Sequence, residues 1–235
     1  MGFGYYYMDI WYFILVIPAL IISLIAQYKV KSTFKKYSSV LNSKGITGAR
    51  AAQAVLSHYG ITDVGIQMVS GNLTDNFNPK TKIISLSESV YNSPSIAAVG
   101  VACHEAGHAA QHAEDYVPIK VRNSIIPVCN IGSMLGIPLA IIGLLIGFTT
   151  LIYVGLILYG AVFVFQLVTL PVEFDASKRA MKVIEETGLL YEDEVSGARK
   201  VLVSAALTYV AAMLVSLANL LRFVIRFLGS GSRRR

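Results

Sequence analysis

His104-Glu105-Ala106-Gly107-His108 sets two imidazoles four residues apart with a carboxylate beside the first, in a chain that holds only four histidines. On a helix, residues i and i+4 share a face, so His104 and His108 can grip one Zn²⁺. Glu105, one step round the same turn, is placed to take a proton from a metal-activated water. This is the chemistry of a metal-dependent hydrolase acting on peptide bonds. A catalytic zinc keeps one position open and therefore needs a third protein ligand.

The rest of the chain must deliver that ligand. Of 235 residues, 54% are hydrophobic and only 14% charged, well below the quarter typical of soluble domains, so the chain reads as an integral membrane protein with a small aqueous domain. The net charge of +6 does not point to nucleic acid, because the lysines and arginines flank apolar runs and no nucleic-acid motif accompanies them. Cys103 and Cys129 build no disulfide framework.

Ile10 to Tyr28 is uncharged and long enough to cross a bilayer. Trp11 and Tyr12 stand at its start as interface anchors, and Lys29, Lys31, Lys35 and Lys36 follow its end. With only Asp9 charged before it, this run reads as a retained anchor with its N-terminus outside. Residues 45 to 120 form the aqueous domain. Thr47 to His58 has helical spacing with Gly60 as a stop, and Val64 to Val69 and Lys82 to Leu86 read as short strands. Asn72 to Phe77 between them suits an exposed sheet edge able to hold a peptide, or an ordinary hairpin. Ser93-Pro94 reads as N-cap and first turn of a helix running to about Ala113, which carries the metal motif.

From Asn123 to Val172 there is no charged residue, enough for two spans, about Ile125 to Ile146 and Thr150 to Leu170, joined at Gly147-Phe148-Thr149-Thr150. A hairpin returns the chain to the side it left, so Glu173 emerges where His104 and His108 lie. Glu173 is thus the expected third ligand; as the opening residue of a new helix, it could instead be a capping acid. Val201 to Leu221 is a further uncharged run, with Ser204, Thr208, Ala212 and Ser216 in a small-residue stripe. A span there would put Arg222, Arg226, Arg233, Arg234 and Arg235 outside, against the positive-inside tendency; the alternative is a helix lying at the cytoplasmic surface.

Other polar residues have less defined expectations. His112 is eight residues from His104, roughly 12 Å along a helix and too far to share one ion, so a contact behind the ligands or near the lipid surface is expected. Asp175 could orient a ligand histidine or stand as a solvated acid. Arg122 and Arg179 could steady a developing oxyanion or serve as membrane-flank charges. His58 has no partner in sequence.

The chain resembles the YugP family of neutral zinc metallopeptidases, bacterial membrane proteins. The resemblance runs over nearly the whole length and rests on residues 104–112 (HEAGHAAQH), 170–177 (LPVEFDAS) and 205–210 (AALTYV). More distantly, the chain is similar to the HtpX and CAAX-prenyl endopeptidases, gluzincins whose third ligand is the glutamate of an E-x-x-x-D motif after a membrane hairpin. That glutamate maps to Glu173, while the aspartate position holds Ser177. Asp75-Asn76-Phe77-Asn78-Pro79 is similar to their substrate-binding edge strand, which makes Asn76 a candidate substrate contact. The resemblance implies endopeptidase activity on membrane or membrane-proximal proteins.

Together these readings predict a mainly α membrane protein with a small α+β zincin-like domain, three or four transmembrane helices, and the H-E-x-x-H helix next to a short β-sheet. The expected organisation is an anchor at 1–30, a cytoplasmic-face domain at 31–122, a hairpin at 123–172, third-ligand helices at 173–200, and a membrane-associated helix with a basic tail at 201–235. The expected cofactor is one Zn²⁺ per chain, bound by His104, His108 and Glu173. The expected partners are the lipid bilayer and polypeptide substrates, with the active site facing the cytoplasm of a bacterial inner membrane. Two rivals stay open. A structural or sensory zinc would have His112 or Cys103 as fourth ligand. A transporter would need charged residues in the hairpin, which has none.

Overall fold

A computed structural model describes residues 9–231, with side chains described through residue 226; Arg233, Arg234 and Arg235 lie outside the described residues. The described residues are mainly helical, with one small sheet. A π-helical turn, Tyr12–Val16, leads into α1, Ile17–Ser38. Helix α2 is Gly48–His58, with the Thr47 hydroxyl accepting from the Arg50 N–H and Gly60 at φ +67° just beyond its end. Strands β1, Gly65–Val69, β2, Asn76–Asn78, and β3, Ile83–Ser87, follow. Then come the short α3, Glu88–Tyr91, and α4, Ile96–Ala113. The long helices are α5, Val117–Ile146, α6, Thr149–Glu186, and α7, Glu192–Gly231.

Among the described residues, four helices are long and apolar enough to cross a membrane: Tyr12–Ser38, Val117–Ile146, Thr149–Glu186 and Glu192–Arg226. The chain divides into two compact units, one of residues 1–26, 121–170 and 208–235, the other of 27–120 and 171–207.

In the first unit, α5 and α6 approach so closely that a Cβ on Gly132 would lie 2.2 Å from the Leu158 carbonyl oxygen, and one on Gly155 2.5 Å from that of Gly136. Backbone contact of this kind is what small residues permit between apolar helices. Two of the five arginines that set the last helix against the positive-inside tendency, Arg222 and Arg226, have an acidic partner. Arg222, buried, donates to Asp9 (Nε to Oδ1, 3.3 Å), and Arg226 pairs with the same carboxylate. Their charge is therefore partly neutralised by the acid at the far end of the first apolar run.

In the second unit the sheet order is β1-β3-β2, with β1 parallel and β2 antiparallel to β3. β3 is central and buried; β2 is an edge, pairing Phe77 with Ile84. The edge strand is shorter than the expected Asn72 to Phe77. Gly71 and Leu73 take positive φ (106° and 57°), and Asp75 is drawn in by the Ser87 N–H (2.7 Å) and hydroxyl (3.1 Å), so the chain turns until Asn76. A single apolar core, including Leu56, Ile84, Leu86, Val99, Cys103 and Ile184, joins α2, β3, α4 and α6.

Two sequence expectations about helix ends need correction. Helix α4 opens at Ser95 rather than Ser93: Ser95 Oγ accepts from the Ala98 N–H at 3.2 Å. Pro94 stays outside because its carbonyl accepts from both the backbone and the side-chain amide of Asn42 (2.9 and 2.6 Å). Glu173, in turn, does not open a helix. Helix α6 runs unbroken from Thr149 through Pro171 to Glu186, so Glu173 lies far from either end and the capping role is excluded.

Candidate metal centre

The site is built by two helices of the second unit. α4 is buried on nearly every side, its small residues Ala102, Ala106, Gly107, Ala109 and Ala110 letting neighbours approach. A Cβ on Gly107 would lie 2.6 Å from the Ala176 carbonyl oxygen of α6. The glycine between the two histidines therefore sets the closest approach of α4 to the turn of α6 that carries Glu173. Gly107→Ala is expected to force that contact apart, at a cost of about 1–3 kcal/mol of stability, with loss of bound zinc. Thermal denaturation and zinc content of the purified variant check both.

Across this contact His104, His108 and Glu173 converge, with one ligand atom from each within 4.8 Å of the others. Glu173 Oε2 lies 3.2 Å from His104 Nε2 and 3.6 Å from His108 Nε2. A tetrahedral zinc with bonds of about 2.0–2.1 Å would separate its ligand atoms by roughly 3.3–3.4 Å. His108 and Glu173 are buried, 8% and 4% exposed, and the imidazole rings of His104 and His108 meet edge to face.

The surrounding hydrogen bonds decide which nitrogen His108 offers. Gln111, fully buried, donates through Nε2 to the Val172 carbonyl (2.8 Å) and to Asp175 Oδ2 (2.9 Å). Its other end, Oε1, therefore faces His108 Nδ1 at 3.0 Å and can only accept. His108 must carry its proton on Nδ1, leaving the Nε2 lone pair aimed at a carboxylate oxygen. Two acceptors facing each other in a buried site require a cation between them, a proton or a metal. Burial opposes charge on His108, yet the hydrogen bond to Glu173 and the charge of Glu105 hold its pKa above the ordinary imidazole value. The donor set of two imidazoles and one carboxylate fits Zn²⁺.

Asp175 thus touches no ligand directly; it acts through Gln111. Arg179 extends the line, donating from Nε to Asp175 Oδ2 at 2.6 Å, pairing with Glu114, and lying over the Tyr59 and Tyr116 rings. Arg179 is committed to this support rather than to a reacting oxygen. Ser177, one turn beyond Glu173, sits with Oγ 3.1 Å from His104 Nδ1. Ser177, at the position that holds aspartate in the E-x-x-x-D motif of the more distant endopeptidases, therefore makes the contact behind His104 itself. Gln111 had no role in the sequence reading. The available signal was its i+3 spacing from His108, which puts both on one helix face. Gln111→Leu is expected to weaken zinc binding about 10–100-fold, read by competition with a chromophoric chelator.

His112 is not among the converging groups; its ring packs near Phe77 of β2, centroids 6.0 Å apart. Asn76 lies exposed on that edge strand. Cys103 Sγ faces the Ala51 carbonyl at 3.8 Å, and burial pushes its thiol pKa far up. Neither His112 nor Cys103 is positioned to close the site as a fourth ligand. His58 pairs with Glu186 at 3.6 Å. Glu105 is partly buried; burial pushes its carboxyl pKa up, the charges of Glu173 and Asp75 add to this, and His104 and His108 oppose it. A carboxylate raised in this way is a better proton acceptor than one free in water.

A helical H-E-x-x-H pair facing a glutamate from a second helix forms a group that could hold a metal ion, in a chain with four helices, among the described residues, long and apolar enough to cross a membrane. Comparison with known proteins agrees. Residues 12–228 match the model of a family described as "Putative neutral zinc metallopeptidase", and the chain belongs to that family. It is 50% identical over 214 residues to "Putative membrane protease YugP" of Bacillus subtilis (strain 168), covering 91% of this chain and 95% of that one. No solved structure gave a significant match.

Proposed function

We propose that this chain is a zinc-dependent endopeptidase that hydrolyses peptide bonds of membrane or membrane-proximal polypeptides at the cytoplasmic face of the bacterial inner membrane. The observation that carries the reading is the meeting of His104, His108 and Glu173 beside Glu105. When bound, Zn²⁺ would supply Lewis acidity to the scissile carbonyl and lower the pKa of water. Glu105 accepts the proton of the attacking water and passes it to the leaving amine nitrogen. Asp175 and Gln111 hold His108 in the tautomer that frees Nε2, and Ser177 holds the orientation of the His104 ring through its Nδ1.

The substrate reading rests on β2. Its outer edge has no strand partner among the described residues, and Phe77 brings it beside the helix that carries the histidines. A peptide laid along Asn76 to Asn78 would gain main-chain hydrogen bonds without regard to sequence, which suits an enzyme acting on unfolded segments. The membrane reading follows from α6. Glu173 is three residues past Leu170, the end of the expected span, on the same continuous helix. In sequence the ligand thus follows the expected span by three positions, which supports chemistry close to the lipid boundary.

The test uses purified full-length protein. It should carry about one zinc per chain, cleave an unfolded membrane protein, lose that activity to a chelator, and regain it on adding zinc. Cleavage by a metal-free preparation would overturn the proposal.

A further inference from the structure

Away from the metal centre, the second unit has a cleft of about 530 Å³ between α1 and α7. Its α1 wall is Lys29, Thr33, Lys36 and Tyr37, spaced i, i+4, i+7 and i+8 and so on one helix face. Its α7 wall includes Arg199, Lys200 and Ser204. Four cations therefore line one cavity, and among the described residues no carboxylate does. Glu185, which pairs with Arg199, lines the neighbouring groove instead. Among the described residues, Lys29, Lys36 and Lys200 have no ion-pair partner. The volume falls within the usual range for small-molecule sites.

The position of these cations says which anion they meet. Lys29 is the first charge after the uncharged run Ile10 to Tyr28, and Lys200 is the last before the uncharged run Val201 to Leu221. The two helices thus change from apolar to charged at the same cleft. In a bilayer that level is the plane of the lipid phosphates. The hydroxyl of Thr33 adds a polar group able to contact phosphate or glycerol oxygens, whereas that of Ser204 is buried and donates to the Val201 carbonyl at 2.7 Å. Val203, exposed on α7 in the same wall, offers an apolar surface to the start of an acyl chain.

We propose that the α1/α7 cleft binds the phosphate headgroup of an anionic phospholipid through Lys29, Lys36, Arg199 and Lys200. The site is separate from the zinc ligands, and its occupancy is read without reference to proteolysis. Lys31 and Lys35, off this face of α1, have no part in it, which separates the proposal from a general attraction of basic flanks to the membrane.

The experiment is native mass spectrometry of the full-length protein in detergent, titrated with phosphatidylglycerol and, separately, with phosphatidylcholine. The wild type should retain phosphatidylglycerol in preference to phosphatidylcholine. A variant with Lys29→Gln, Lys36→Gln and Lys200→Gln should bind phosphatidylglycerol more weakly by about fivefold per lysine, roughly a hundredfold in all. A charge-matched variant with Lys31→Gln, Lys35→Gln and Lys80→Gln should bind it as the wild type does. All six lysines are exposed, so neither variant disturbs the core. Equal losses in the two variants, equal binding of the two lipids, or wild-type binding by the cleft variant would each overturn the proposal. So would displacement of the lipid by equimolar glycerol phosphate, which would make the cleft a site for soluble phosphates.

Discussion

Glu105→Gln is expected to retain one zinc per chain and to lower the rate of peptide hydrolysis by about 10²–10⁴-fold. Glutamine keeps the size of the side chain and its hydrogen-bonding reach but has no lone pair basic enough to take a proton from water. The metal should be unaffected, because the three converging ligand atoms belong to His104, His108 and Glu173. The informative readout is the pair of measurements: zinc stoichiometry unchanged, single-turnover cleavage nearly abolished. Parental cleavage by this variant would remove Glu105 from the chemistry. Zinc loss together with activity would show that Glu105 matters for building the site rather than for moving a proton.

The second large effect concerns the ligand that arrives from afar. Glu173→Ala removes the only carboxylate among the converging groups and leaves two imidazoles whose Nε2 atoms no longer face an anion. Two neutral histidines alone hold zinc weakly, so the variant should emerge from dialysis with little or no metal and no hydrolytic activity. Because Glu173 is 4% exposed and packed inside a helix, folding must be checked separately, by circular dichroism and by Glu173→Gln, which preserves volume. A Glu173→Ala protein that still carried stoichiometric zinc would mean another residue completes the site, and the two-helix picture would fail. These two variants act on different quantities. One removes a proton carrier and spares the metal; the other removes the metal and with it everything downstream.

Much of this was legible without coordinates, for a local reason. His104, Glu105 and His108 lie within one turn and a half of a helix, so the helical repeat alone determines that the two histidines share a face with Glu105 one step round the turn. The uncharged runs are likewise local, and their lengths against the thickness of a bilayer mark out the apolar helices. Even the third ligand could be narrowed by parity, since a hairpin returns the chain to the side it left. What parity cannot supply is distance. His104 and Glu173 stand 69 positions apart, and their side chains come to 3.2 Å only because Gly107 lets α4 and α6 touch backbone to backbone.

The same division holds for the residues behind the ligands. Gln111 and Ser177 stand in the quoted motifs, but their roles depend on how α4 and α6 are rotated about their axes, and no periodicity encodes that. Asp175, left open in sequence between orienting a histidine and standing as a solvated acid, meets Gln111, which fills the space between it and His108. The start of α4 moved from Ser93 to Ser95 because a distant asparagine, Asn42, claims the Pro94 carbonyl. Short-range patterning, in which each residue's nearest neighbours dominate its energy, determined the chemistry this chain can perform. Long-range packing, in which backbone approach and helix rotation are settled by contacts between segments far apart in sequence, decided where that chemistry is assembled and what holds it in register.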